Sequence, residues 1–233
     1  MSFNEKVQAF LIARYYARLV QSFGPQGRMA FILGTQHYGM QRGQRMAQRA
    51  VRDGAENLTY EVYCQYGEWV STEECKQMGC SNLTTLLEKQ PDAVRRIDRC
   101  AWHTQFREMG LLEAGDVYCQ HIDKSICRGF NPDLVYEVPH TLNNSDCCIH
   151  IIRGANLTDQ SDCTKKMQYV HDFEYHCAHS YWAYHDVISA IFDSAGEQLC
   201  AAVLDDVQKE YGREMADRLC RYRHVNFSVC QEP

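Results

Sequence analysis

The chain has 233 residues, a formal charge of −6 and thirteen cysteines. That length can bury a substantial core in one domain, and the lack of a basic field argues against nucleic acid as a partner. The odd thiol count, and a start at Met1-Ser-Phe-Asn-Glu-Lys6 without a basic segment leading an apolar core, point to reduced cysteines in a cytoplasmic protein.

No apolar run approaches the roughly 20 residues needed to span a bilayer, so no membrane partner is expected. The Asn-x-Ser/Thr triplets at Asn57, Asn82, Asn143, Asn156 and Asn226 read as coincidence, because glycosylation requires export. A small-molecule ligand fits this composition best.

Residues 1–54 read as two helices. Ser2 and Glu5 suggest a capping box, and Val7, Phe10, Leu11, Tyr15 and Leu19 recur at helical spacing until Gly24-Pro25 stops the run. A second helix spans about Arg28 to Arg52, where Gly39, Gly43, Ala47 and Ala50 leave one side open to close approach by a neighbour. Arg42, Arg45, Arg49 and Arg52 fall on one face of it. They form either a solvated basic stripe or, at Arg42 or Arg45, a planar fork for a substrate carboxylate.

Residues 55–155 read as a mixed core. Tyr60–Tyr66 and Val94–Cys100 have β-compatible side chains, Trp102–Met109 and Ala114–Ile126 read as helices, and Leu134–Val138 and Cys147–Ile152 read as strands around a polar turn at Asn143–Asp146. Residues 165–225 return to helix, through Tyr169–Phe192 and then a run opened by Ser194 and Glu197 and closed by Gly212. No internal repeat is evident. This order predicts a single α+β domain over residues 1–233, with an antiparallel sheet of at least four strands covered by helices.

Spacing gives several of these residues chemical meaning. Cys119 and Asp123 share a helical face, and Cys148 and His150 share a strand face. Cys100 ends a strand where His103 begins a helix, so helix-end amides can lower the thiol pKa. Each cysteine taken alone is also compatible with plain burial, but an apolar core has no use for Asp123. His171, His176, His179 and His185 form a further group, and His176 and His179 with Asp172 offer either zinc ligands or core contacts among Tyr175, Trp182 and Tyr184.

With these motifs on the page, the chain resembles the L-2-amino-thiazoline-4-carboxylic acid hydrolases over most of its length. The resemblance rests on Tyr38-Gly-Met-Gln-Arg-Gly-Gln-Arg-Met-Ala47, Cys100-Ala-Trp-His103, Tyr118-Cys119 with Asp123, Gly129-Phe-Asn-Pro132, Asp146-x-Cys148, and Asp172 through His176 and His179. It implies a layout similar to 4-vinyl-reductase-type ligand-binding domains. It also implies hydrolytic opening of a cyclic amidine, 2-amino-thiazoline-4-carboxylate or a related ring, to a carbamoyl derivative of cysteine.

Under that resemblance Cys100 is the nucleophile, His103 protonates the departing nitrogen, and Asp123 activates water or pairs with the amidinium. Asn131 orients the adduct, Cys119 and Cys148 complete the catalytic group, and Tyr38, Arg42, Arg45 and Trp102 bind substrate. No cofactor is required, although zinc is possible, and a homo-oligomer is compatible with the chain. Two other classes remain open. One is a ligand-binding or sensor module with a structural site of Cys100, Cys119, Asp123 and Cys148, and the other is a zinc-dependent hydrolase using His176 and His179.

Overall fold

A computed structural model describes residues 2–231. Its elements in order are α1 (Glu5–Arg52), α2 (Tyr60–Gln65), α3 (Glu73–Gln77), β1 (Leu83–Glu88), β2 (Ala93–Arg99), α4 (Ala101–Glu108), α5 (Leu112–Phe130), β3 (Val135–His140), β4 (Cys148–Arg153), a short 3-10 turn (Met167–Tyr169), α6 (Phe173–Tyr211) and α7 (Arg213–Cys220). The four strands form one antiparallel sheet in the order β1-β2-β4-β3. The fold is α+β with helical segments at both ends.

The first long helix is a hairpin. Gln8 Nε2 donates to Tyr38 Oη at 2.8 Å, whereas thirty residues of straight helix would hold the two about 45 Å apart. The reversal is at Gly24, with φ 53° and ψ −129°, a conformation that glycine tolerates, and Pro25 opens the second arm. Helix α6 reverses in the same way at Asp193, with φ 48° and ψ −130°. Both reversals sit in a Phe-x-x-x-Gly segment, Phe23 to Gly27 and Phe192 to Gly196, and the two phenylalanines stack at 3.8 Å. The same turn geometry thus occurs twice in the chain.

By length and composition α6 is apolar enough to cross a membrane, with a mean hydropathy of 1.4 in its best window, contrary to the expectation that no such run exists. Its two arms lie side by side about Asp193, so it is not one straight rod. The arm from Phe173 to Ile188 packs into the main apolar core beside α1.

Other local readings also change. The cap of α1 is Asn4, whose side chain accepts from the Lys6 and Val7 amides, while Ser2 bonds Glu74 and Glu5 takes the amide and hydroxyl of Thr72. The segment read as a strand over Tyr60–Tyr66 forms the helix Tyr60–Gln65, because Thr59 caps it and Glu61 suits its first turn, and aromatic residues tolerate either state. Strand β1 was missed because every residue in it is exposed, which leaves no alternation to read. The other edge strand, β3, carries Pro139 beside a register shift, where no ladder hydrogen bond is lost.

The glycine side of α1 meets α5. A Cβ on Gly43 would sit 2.0 Å from the Ile126 carbonyl oxygen, and one on Gly129 would sit 2.4 Å from that of Met40. This close approach sets Arg42 on α1 opposite the α5 face that bears Cys119 and Asp123. Gly43→Ala is expected to push the helices apart at a cost of about 1–3 kcal/mol, measured by chemical denaturation.

Candidate active site

Between the sheet, α1, α2, α4 and α5 lies a cavity of about 330 Å³. Strand β2 ends at Arg99, and Cys100 then takes an extended backbone, φ −149° and ψ 131°, as the N-cap of α4. Its thiol faces the cavity, as do Cys119 and Asp123 from one face of α5 and Cys148 and His150 from one face of β4. Trp102 and Arg42 also line it.

The electrostatics of the thiols are dominated by burial. It pushes Cys100 up to about 11, against the amides of His103 and Trp102 and the side chain of Asn82, which favour the thiolate. Burial likewise pushes Cys148 up to about 12, although the Leu142 amide donates to its sulfur at 3.1 Å. Cys119 is raised by burial first and then by Cys100 and Cys148, so the three thiols share one electrostatic neighbourhood. Asp123 adds its negative charge to all three. Among the described residues no donor hydrogen-bonds its half-buried carboxylate.

Cations line the same cavity. Arg42, Arg95 and Lys165 all line the cavity, and neither Arg95 nor Lys165 was singled out from the sequence. Burial lowers His150, so its imidazole is neutral near pH 7, and Nδ1 lies 2.8 Å from Tyr136 Oη. The cavity thus carries charge of both signs, with the Asp123 carboxylate and the Arg42, Arg95 and Lys165 cations all in its lining.

Several other candidates lie elsewhere. His103 does not line the cavity; its Nδ1 is 3.1 Å from Asn143 Oδ1, and Asn143 Nδ2 donates to Cys119 Sγ at 3.6 Å. Asn131 donates to the Leu58 carbonyl and accepts from the Asp133 amide, beside a separate shallow depression. Tyr38 Oη accepts from Gln8 and Arg42, so it positions Arg42 from behind.

Three of the four stripe arginines are not solvated, and Arg52 alone is exposed. Arg42, Arg45 and Arg49 are buried around Glu68, which takes Arg45 at 2.9 and 2.7 Å, Arg49 at 2.7 Å and Arg42 at 3.4 Å. Arg45 is thereby occupied away from the cavity, which leaves Arg42 as the stripe's contribution to the cavity wall.

The histidine group does not assemble a metal site. His176 Nε2 is bonded to the Glu68 carbonyl at 2.9 Å, and His179 Nε2 to Gln41 Oε1 at 2.8 Å. Burial, with Arg42 beside His176 and Arg45 beside His179, lowers both imidazoles well below their ordinary range. Asp172 is the N-cap of α6, accepting from the Tyr175 amide at 2.9 Å. Among the described residues no three His, Cys, Asp or Glu side chains are grouped closely enough to hold a metal ion, the cavity thiols included. All thirteen cysteines are free.

A family model described as L-2-amino-thiazoline-4-carboxylic acid hydrolase matches residues 4–150. The chain belongs to this hydrolase family. The matched stretch includes Arg42, Arg95, Cys100, Cys119, Asp123, Cys148 and His150, and it ends before Lys165. No curated protein and no solved structure matches the chain.

Proposed function

We propose that the protein opens a small cyclic amidine bearing a carboxylate, 2-amino-thiazoline-4-carboxylate or a related ring, with Cys100 as nucleophile. The observation that carries this reading is the Asp123 carboxylate. It lines the cavity without a hydrogen-bond donor, near Cys100, Cys119 and Cys148, in a lining that also holds Arg42, Arg95 and Lys165. A ring with an amidinium at one end and a carboxylate at the other complements that charge pattern.

In this reading Asp123 pairs with the amidinium and Arg42 holds the carboxylate. The neutral His150 imidazole, rather than His103, takes the Cys100 proton. The thiolate adds to the ring carbon between sulfur and nitrogen. The ring carbon–nitrogen bond then breaks, and the departing nitrogen receives the proton from His150. Water next adds to the same carbon and the Cys100 thiolate leaves with its electron pair, regaining a proton, to give a carbamoyl derivative of cysteine. The sum is substrate plus one water, with no oxidant or cofactor.

Asp123→Asn keeps the shape of the side chain and removes its charge. It is expected to lower kcat/KM by about 10- to 100-fold, mainly through KM, as lost charge-assisted hydrogen bonds do. The melting temperature should hold or rise, because the carboxylate has no partner to lose. Steady-state kinetics on 2-amino-thiazoline-4-carboxylate, read beside a thermal melt, checks both; full activity in this variant would remove Asp123 from the site.

A further inference from the structure

The cavity holds more positive charge than a single substrate carboxylate answers. Arg95 projects from β2, between Ala93 and Ile97 on the inward face of the strand, and lies over the Tyr60 ring at 5.5 Å. Its Nη2 reaches Cys64 Sγ at 3.5 Å, and among the described residues no carboxylate pairs with it. Lys165 comes from the segment between β4 and α6; its amine donates to the Trp69 carbonyl and lies 5.5 Å from the Trp69 ring centre.

Burial and then Arg42 push Lys165 down to about 8, against an opposing effect of Cys64 and with a smaller push from Arg95. The amine therefore stands within electrostatic reach of both arginines. Glu68 offsets Arg42 only in part, because Arg45 and Arg49 make closer contacts to it, and among the described residues it pairs with neither Arg95 nor Lys165. A guanidinium cannot shed its proton, and a desolvated one without a counter-ion is costly, so its natural complement is an anion entering the cavity.

We propose that Arg95 and Lys165 form a second anion subsite beside Arg42, so that the preferred ligand is a flat ring carrying two acid groups. The identity of the ring as an amidine rests on the reading above; the count of charges does not. The volume agrees, since about 330 Å³ is at the lower end of the roughly 300–1,000 Å³ that takes drug-sized ligands and exceeds the needs of one five-membered ring. Tyr60, Tyr63 and Tyr136 line the same cavity and offer aromatic faces to such a ring.

Calorimetric titration with benzoate and with isophthalate, rings with one and two carboxylates and no amidine, tests the subsite without turnover. The wild-type protein is expected to bind isophthalate at least about tenfold more tightly than benzoate. Arg95→Gln and Lys165→Met should each shrink that preference to below about threefold, and Arg95→Lys should keep part of it. Above pH 8, isophthalate binding should take up a proton, because an anion beside Lys165 raises its pKa, and Lys165→Met should abolish the uptake. Equal affinity for the two acids, no binding of either, or an unchanged preference in both charge-removing variants would overturn the subsite. Loss of amidine hydrolysis with the preference intact would count against the proposed reaction alone.

Discussion

Replacing Cys100 by serine is expected to cut kcat/KM on 2-amino-thiazoline-4-carboxylate by on the order of a thousandfold or more, with the fold intact. A hydroxyl is far harder to deprotonate than a thiol, and burial already holds this thiol up at about 11, so the site has little activation to spare for a weaker acid. The amides of Trp102 and His103 and the side chain of Asn82 point their help at position 100 and at no other cavity thiol. Stability should not suffer, because position 100 is the N-cap of α4, where serine is among the preferred residues. Cys119→Ser and Cys148→Ser should have much smaller effects on kcat. Kinetics of the three variants with their melting curves makes the comparison.

Glu68→Gln is expected to destabilise the fold by about 3–5 kcal/mol, measured by urea denaturation, because it leaves buried arginine charge uncompensated. Glu68 is fully buried, and its backbone carbonyl also accepts from the His171 amide and His176 Nε2, so it ties α1 to α6. Burial alone would raise its carboxyl, yet Arg45, Arg42 and Arg49 hold it far below the ordinary value of 4.5. A depressed pKa stabilises the fold in full above the unfolded-state value and loses that contribution as pH falls. Stability should therefore drop as pH falls below about 4.5, and the Glu68→Gln variant should lack this component of the acid sensitivity.

Much of the fold was legible because periodicity and glycine placement report local geometry. Gly24-Pro25 marked the first reversal, Gly39 and Gly43 marked the close contact, and the pairs Cys119/Asp123 and Cys148/His150 marked faces that do line one cavity. What failed depended on partners distant in sequence. Arg42, Arg45 and Arg49 read as solvated because Glu68, around which they are buried, lies in a loop after α2 and carries no pattern of its own.

His103 was placed in the site by its nearness to Cys100, but three residues into a new helix the side chain has turned toward Asn143. Arg95 was findable. Ala93 and Ile97 are buried on the face it shares, whereas Arg96 alternates outward to pair with Asp98. Lys165 was not findable, since an irregular segment has no period to reveal its direction.

The most direct test of Cys100 as nucleophile is a rapid acid quench of the protein turning over 2-amino-thiazoline-4-carboxylate, followed by intact mass measurement and peptide mapping. A covalent adduct equal to the whole substrate mass, located on Cys100 and absent from the Cys100→Ser protein, is the expected result. Product formation by that Cys100→Ser protein at the wild-type rate, with no adduct on any thiol, would contradict it.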